Sequence, residues 1–587
     1  MKLRVAILCM DPWRGGGNFQ PFNLGSYRIQ AAMLYGRDLP DAEVRMFARL
    51  GSDLDTWSEA IEDFDPHIIG ASAYVWSFPA LIELARRAKV ANPGRLTIFG
   101  GPSSYYSMFR QPPFRASAAW VDAFVEGEGE WVVQEVLRRF SALRHDDLAG
   151  IRGLWLSDGR DDWSRPAQHA ELIAFDDIPS PFQHGLTGSG ATPSLEIFRG
   201  CPLACRFCQW GVMDGGGRIA SKESLIRELS CFKDMSANGA YMVDAGLNLN
   251  AAAFRNLKDA DDEVGYFSGR TLVTEVYPSM LREAHLELLA RANSQTGIGL
   301  QSTNAEALKL HSRHFRRDRF VEVVNALNGV GSHTAVEIIV GLPGDTPDTF
   351  KRTLDFALSL NAASVHVFHC LVLPHALMDR DPEALELEYN PVTLEVKSAV
   401  GWSRSDLDET IAWLYDIAAP AEDLTETYQP RWPRPAEADR PEHFHGVFVA
   451  PSMWTFPRGG QVASSPKPVD IPVEIRIESE VDPRLQERLA LAVATSTDGR
   501  LVCESVNWCG DALRMRLLTG TGPVLFEVGA FVESQPHFRA IDQLRFSHIG
   551  KHQLPRPVID ELNRFVACCG EPELYAALAE ALHRQDA

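Results

Sequence analysis

The sequence contains no apolar run approaching the ~20 residues that cross a bilayer, so no membrane-spanning helix is expected. The first apolar segment, Leu3–Cys9, is too short for a secretory signal and lacks its cleavage pattern. A cytoplasmic location is the expectation. Basic charge is scarce as well: 57 Lys and Arg face 78 Asp and Glu, a formal net charge of −21. No basic surplus remains to neutralise phosphates, which argues against nucleic-acid and anionic-membrane partners. Cysteine is too sparse for a disulfide scaffold, ten in 587 residues. Internal repeats and extended low-complexity tracts are lacking too.

What remains is an ordinary globular composition, 45% apolar and 23% charged, in a chain long enough for three or four domains. Over residues 1–150 short apolar strands alternate with helical spacing. Leu3–Cys9, Val44–Phe47, His67–Ala73, Leu96–Phe99 and Val121–Val125 read as strands, and 24–35, 54–63, 78–91 and 130–142 as helices. That rhythm predicts an α/β, doubly wound (Rossmann-like) domain with its ligand site at the carboxyl ends of the strands. Residues 151–190 are polar, include most of "DIPSPFQHGLTGSGATP", and read as a linker. Residues 191–400 hold six further strand-helix units, from "SLEIFRG" to "SVHVFHCLVL". They predict a partial (β/α)6 barrel of the TIM type. Residues 401–587 read as an α+β domain: a helix at 403–418, the proline-rich "PRWPRPAEADRPEHF", strands such as "PVEIRIES", then helices.

Three of the ten cysteines fall within eight residues. "RGCPLACRFCQWG" sets Cys201, Cys205 and Cys208 in a C-x3-C-x2-C pattern directly after a strand. Three thiolates on one short loop can hold three irons of a [4Fe-4S] cluster and leave the fourth open. A zinc site closed by a distant fourth ligand, or three unrelated buried thiols, are the plainer alternatives. Cys9, Cys231, Cys370, Cys503, Cys509, Cys568 and Cys569 lack ligand spacing.

With this loop the sequence resembles the radical S-adenosylmethionine (SAM) superfamily. The resemblance implies that SAM chelates the open iron and that one electron cleaves it to a 5'-deoxyadenosyl radical. "GIGLQSTNAEAL" and "VEIIVGLPGDT" look like the family's fourth and fifth barrel strands, which implies SAM contacts at Gln301, Ser302 and Gly341, with Gly344 serving a turn or a ligand. The family's glycine-rich segment after the second strand is not recognisable; "VDAGLNLN" stands there and offers Asp244 and Asn248. His375 in "LPHAL" stands where many relatives carry glycine.

"GASAYVWSF", "IFGGPSSYY" and "FVEGEGEWVVQEVL" make residues 1–150 similar to the cobalamin-binding domain fused to many radical SAM enzymes. By that resemblance Gly100, Gly101, Pro102, Gly127 and Gly129 border the corrin or its nucleotide tail. Tyr74 and Trp76 would lie against its lower face, with packing under the next helix as the plainer role of Trp76. Asp65-Pro66-His67-Ile68-Ile69-Gly70 fits the D-x-H-x-x-G cobalt-ligand motif, but His67 begins the third strand and should sit at the wrong edge of the sheet. Base-off cobalamin without a histidine ligand follows.

Glu275, on the third barrel strand, is the catalytic candidate: it could bind SAM, occupy the open iron, or pair with a nearby cation. The whole resembles a class B radical SAM methyltransferase, which implies methylation of a carbon of a small secondary-metabolite substrate through methylcobalamin, as in antibiotic biosynthesis. The alternatives are a cyclisation or rearrangement without methyl transfer, and non-radical methylation of an electron-rich aromatic such as tryptophan. A sensor role is disfavoured because the tail shows no helix-turn-helix or basic patch. Flavodoxin or ferredoxin is the expected electron donor, the monomer the expected state, and residues 401–587 the expected cap over the substrate. Trp402, Trp413, Trp432 and Trp454 read either as an aromatic pocket there or as core.

Overall fold

The computed structural model describes residues 2–10, 23–48, 54–111, 114–140, 148–187, 193–211, 217–390, 394–417 and 453–458, and strands between 501 and 547. The loop at 11–22, "PRWPRPAEADRPEHF" with Trp432, "PVEIRIES", Cys568, Cys569 and the expected carboxyl-terminal helices lie outside the described residues.

Two seven-stranded sheets organise the chain. The first contains β1 (Leu3–Cys9), β2 (Ala42–Ala48), β3 (Ile68–Ser72), β4 (Leu96–Gly100), β5 (Ala123–Val125), β6 (Leu154–Ser157) and β7 (Trp163–Ser164), in the order β2-β1-β3-β4-β5-β6-β7. β1 to β5 pair in parallel, and β1 lies between β2 and β3. Chain direction therefore switches beside β1, which opens a crevice outside the carboxyl ends of β1 and β3. Apolar residues cover both faces: Ile69, Phe99 and Phe124 pack in one cluster, and Ile68, Ile98 and Ala123 in another. β6 and β7 come from the segment read as a linker. Leu154, Trp155 and Trp163 bury against the sheet and add antiparallel pairing beyond β5. All five expected strands are found within two residues of their expected ends and all four helices within three; β5 begins at Ala123 rather than Val121.

The second sheet has six parallel strands in sequence order, β8 (Ser194–Leu195), β9 (Gly239–Met242), β10 (Thr271–Glu275), β11 (Asn293–Gln301), β12 (His333–Val340) and β13 (Ser364–His369). Helices between them are capped by side chains: Ser221 accepts the Ser224 N–H, Asn250 those of Ala252 and Ala253, and Thr346 that of Thr349. Here burial alternates. Along β12 every second residue, Thr334, Val336, Ile338 and Val340, is buried against the helices, while Ala335, Glu337 and Ile339 face a partly open lumen.

After a short hairpin of β14 (Glu388–Tyr389) and β15 (Val396–Ser398), β16 (Met453–Pro457) closes the sheet antiparallel to β13. The expected boundary at 400 therefore does not mark a break in packing. Trp402, Leu407, Ile411, Leu414 and Trp454 belong to the barrel's own core. Trp402 and Trp454 are 2% and 3% exposed, so they are core and not pocket lining. β17 (Leu501–Cys509), β18 (Ala512–Thr519), β19 (Gly522–Val528) and β20 (Arg545–Ser547) form a separate antiparallel sheet.

Candidate active site

The cysteine loop leaves β8, and a bridge between Phe198 and Ile219 closes its base. Asp244 anchors that base: its carboxylate accepts the Ile197 and Phe198 N–H groups at 2.9 and 2.8 Å. Cys201, Cys205 and Cys208 are free thiols. The Leu203 N–H points at Cys201 Sγ (3.5 Å), and the Cys208 N–H donates to the Cys205 carbonyl (3.1 Å). Gly211 shuts the loop, since a Cβ there would stand 2.2 Å from the Leu203 oxygen. Burial pushes Cys208 up to about 11 and raises Cys201, and the neighbouring thiols add to both shifts. Among the described residues no three His, Cys, Asp or Glu groups converge to hold a single ion. Thiolates of a cluster each bind a different iron, so they need not converge.

Beside the loop, charge gathers in the barrel lumen. Arg313 Nη1 reaches Cys205 Sγ (3.8 Å), Nη2 donates to the Gly299 carbonyl (2.5 Å), and the guanidinium lies over the Tyr277 ring. Glu275 pairs in register with Gly297, and Glu337 with Gly299. A Cβ on Gly297 would fall 2.2 Å from the Glu275 carboxylate, and one on Gly299 would fall 2.8 Å from Arg313. "GIG" thus clears space for charged side chains of neighbouring segments. Burial pushes Glu275 up to about 7, against the pull of Arg313. Burial and then Glu275 raise Glu337 further. Tyr241 joins them, pushed up to about 12 by burial and both carboxylates. Tyr241 is 42% exposed, as fits a residue walled by protein but open along a lumen.

The same loop meets the first sheet. Gln209, directly after Cys208, donates through Nε2 to the carbonyls of Pro102 (2.9 Å) and Pro374 (2.6 Å). Pro102 follows Gly101, whose φ is +98° and where a Cβ would stand 2.8 Å from the Ala73 oxygen, which excludes a side chain. Nearby, His375 stacks on Tyr105 at 4.7 Å and 10°. Below the loop, Arg199 binds Glu130 (2.6 Å), Glu196 (3.0 Å) and Glu128. Arg28 binds Glu196, and Arg218 binds Glu128. The carboxyl edge of the first sheet is therefore clamped against the cysteine loop.

The sequence pattern of the Radical SAM superfamily matches residues 195–357, which span the cysteine loop and the lumen strands β9 to β12. Residues 195–357 form a radical SAM domain. The chain is 26% identical to 2-(S-pantetheinyl)-carbapenam-3-carboxylate methyltransferase of Streptantibioticus cattleyicolor, over 53% of this chain and 48% of that one. It is 25% identical to the cobalamin-dependent radical SAM methyltransferase TokK of Streptomyces tokunonensis, over 55% and 49%. It spans about half the length of these two relatives. The structure of the cobalamin-dependent SAM radical enzyme OxsB, solved with aqua-cobalamin and SAM, shares the fold with a TM-score of 0.54 and 14% identity, over 73% of this chain and 70% of that one.

Within the radical SAM domain the expected site residues divide. Glu275 faces the lumen, and Gln301, with φ +66°, ends β11 at a bulge beside Gly299. Asp244 and Asn248 are engaged internally: Asp244 is 4% exposed on its two N–H donors, and Asn248 exchanges hydrogen bonds with the Tyr277 backbone. Ser302 is buried and donates to Asp345 (2.6 Å). Gly341 (φ +78°) is approached by Leu407, and Gly344 (φ +83°) by Leu310, so protein side chains border both.

In the first sheet Tyr74 and Trp76 stack at 4.6 Å beyond β3, and the Trp76 indole Nε1 is buried without a hydrogen-bond partner. Added Cβ atoms at Gly100 and Gly127 would meet nothing within 4 Å, while one at Gly129 would stand 3.0 Å from Ile29. His67 lies at the opposite edge, its Nδ1 accepting the Arg4 N–H (3.0 Å). Sequence reasoning missed Arg313, Glu337, Tyr241, Gln209 and Arg199. Only the alternation of β12 offered a signal, by placing Glu337 on the face opposite the buried residues.

Proposed function

We propose that this chain is a cobalamin-dependent radical SAM methyltransferase acting on a carbon of a small-molecule, secondary-metabolite substrate. The observation that carries the reading is the Gln209 junction. It seats the cysteine loop against the glycine loop of a doubly wound domain, so ligands of the two sites would face one another. The first sheet with its edge strands β6 and β7 would be the cobalamin domain, the second sheet with the helix at 404–417 and β16 the barrel, and the region from β17 onward a cap over the substrate.

Cys201, Cys205 and Cys208 fit a [4Fe-4S] cluster by their donor set and the N–H group aimed at Cys201. Trp76 and Tyr74, with the open space at Gly100 and Gly127, fit a flat macrocycle at the carboxyl edge. Gly101, Pro102 and Gly129 would shape its border. Gln301, Ser302 and Gly341 would shape the SAM site by backbone and position, and Asp244 by anchoring the loop. When bound, the cluster supplies one electron to SAM and cobalamin carries a methyl group. Glu275 would orient SAM or hold a proton: a carboxyl near pH 7 can do either, and Arg313 keeps it within reach of both states. An external electron donor such as flavodoxin or ferredoxin, and a monomeric state, complete the proposal. Among the described residues no helix is long and apolar enough to cross a membrane.

The test is anaerobic reconstitution with iron, sulfide and hydroxocobalamin, followed by SAM and a strong reductant. Wild-type protein should hold about four irons and one base-off cobalamin, and release 5'-deoxyadenosine and S-adenosylhomocysteine. The triple variant with Cys201, Cys205 and Cys208 changed to alanine should release no deoxyadenosine. Deoxyadenosine without S-adenosylhomocysteine would support rearrangement instead of methyl transfer, and S-adenosylhomocysteine alone would support the polar route.

A further inference from the structure

Arg313 sits in "HSRHF", outside every motif the sequence offered, yet it touches more of the site than any expected residue. Three contacts aim its guanidinium: Cys205 Sγ at 3.8 Å, the Gly299 carbonyl at 2.5 Å and the Tyr277 ring at 4.8 Å from its centroid. The chain also makes room for it. A Cβ on Gly299 would stand 2.8 Å from Nη2, so a glycine is needed at that register position. The segment carrying it is pinned to the cysteine loop from the other side: the Arg206 N–H donates to the His311 carbonyl, and the His311 ring lies 5.6 Å from Phe207. His311 itself is held by the Pro343 carbonyl through Nε2 (2.9 Å). The charge of Arg313 also opposes the upward push of burial on Glu275 and Glu337.

We propose that Arg313 is a positioning residue of the cluster, fixing the Cys205 sulfur and stabilising the negative charge that one-electron reduction adds. This rests on the reading that Cys201, Cys205 and Cys208 hold the cluster. The argument is electrostatic. Reduction makes the cluster more anionic by one unit, and the electron comes from the external donor. A cation and an N–H···S contact both favour the more anionic state, which raises the reduction potential. The two lumen carboxylates act in the opposite direction, and Arg313 stands where it offsets them. Lysine would keep the charge but lose the fork that spans sulfur and carbonyl.

The experiment uses full-length wild type, R313K and R313Q, reconstituted anaerobically with iron and sulfide alone. Iron and sulfide per chain are measured first, then the midpoint potential by redox titration followed by electron paramagnetic resonance. R313Q should load a cluster whose reduced-to-oxidised ratio at fixed potential falls about tenfold. R313K should shift less in the same direction. A fully loaded R313Q with the wild-type midpoint overturns the proposal. If R313Q loads nothing, R313K decides: a shift to lower potential supports the role, and an unchanged midpoint overturns it. Wild-type protein that takes up no iron overturns the cluster reading, and Arg313's role falls with it.

Discussion

The two parallel sheets solve the same problem in opposite ways. In the first, neighbouring residues along a strand are both buried, because helices cover both faces: Ile68 enters one apolar cluster and Ile69 another. In the second, one face packs on helices and the other lines a lumen, so Ile338 is buried while Ile339 is only partly so. The first sheet can therefore offer ligands only its edge, where glycines and the Tyr74–Trp76 stack sit. The second can place charge along its strands, and Glu275 and Glu337 use that freedom with Arg313 against them. Where the two sheets meet, the Gln209 amide bridges backbone carbonyls and charge adds to the joining, through Arg199 with Glu128 and Glu130.

That junction should give the largest effect. Arg199→Ala strands Glu128, Glu130 and Glu196 with too little positive charge, and should cost about 3–5 kcal/mol. Equilibrium unfolding should show it, and separate transitions for the two sheets would mark the loss of coupling. A change within about 0.5 kcal/mol would mean that the network contributes nothing.

Paired truncations test the contrast in burial. Ile68→Ala and Ile69→Ala should each cost about 2–5 kcal/mol, because both leave cavities. On β12 only Ile338→Ala should do so, while Ile339→Ala costs about 1 kcal/mol. Equal losses at 338 and 339 would deny the lumen.

Asp244 should make stability depend on pH. Burial, then Glu196, pushes its carboxyl up to about 8 from an ordinary 3.8. Between those values the folded chain holds a proton that the unfolded chain releases, so stability falls as pH rises from about 4 to 8. Asp244→Asn keeps an acceptor for the Ile197 and Phe198 N–H groups and should flatten that slope in melting curves. A slope undiminished in the variant would assign the titration elsewhere.

The smallest effect belongs to His375. Its φ of +67° costs about 1 kcal/mol for a non-glycine residue, and the Tyr105 stack returns about as much. His375→Gly should leave the midpoint at pH 7 nearly unchanged. Burial, then Arg380, lowers the imidazole to about 4, so its share of stability rises with pH between about 4 and 6.5. The glycine variant should lose that rise, and its persistence would rule out His375 as the source.

The sequence by itself determined the parallel strands of both sheets, the cysteine loop and the wrong-edge position of His67, because hydrophobic period and loop spacing are local properties. It also marked His375 as standing where many relatives carry glycine, a position at which this backbone is left-handed. Local pattern could not show that Asp244 and Asn248 would be used up on backbone groups, or that residues read as a linker would extend a sheet. Nor could it show that "EGEGE" carries glutamates for an arginine some 70 residues onward. Trp454 closes the barrel core from far beyond the expected boundary at 400 for the same reason. Tertiary structure decided these, since burial and electrostatic pairing join residues distant in the chain. Arg313 is the clearest case: an unremarked arginine until folding sets it between a thiol, a carbonyl and two carboxylates.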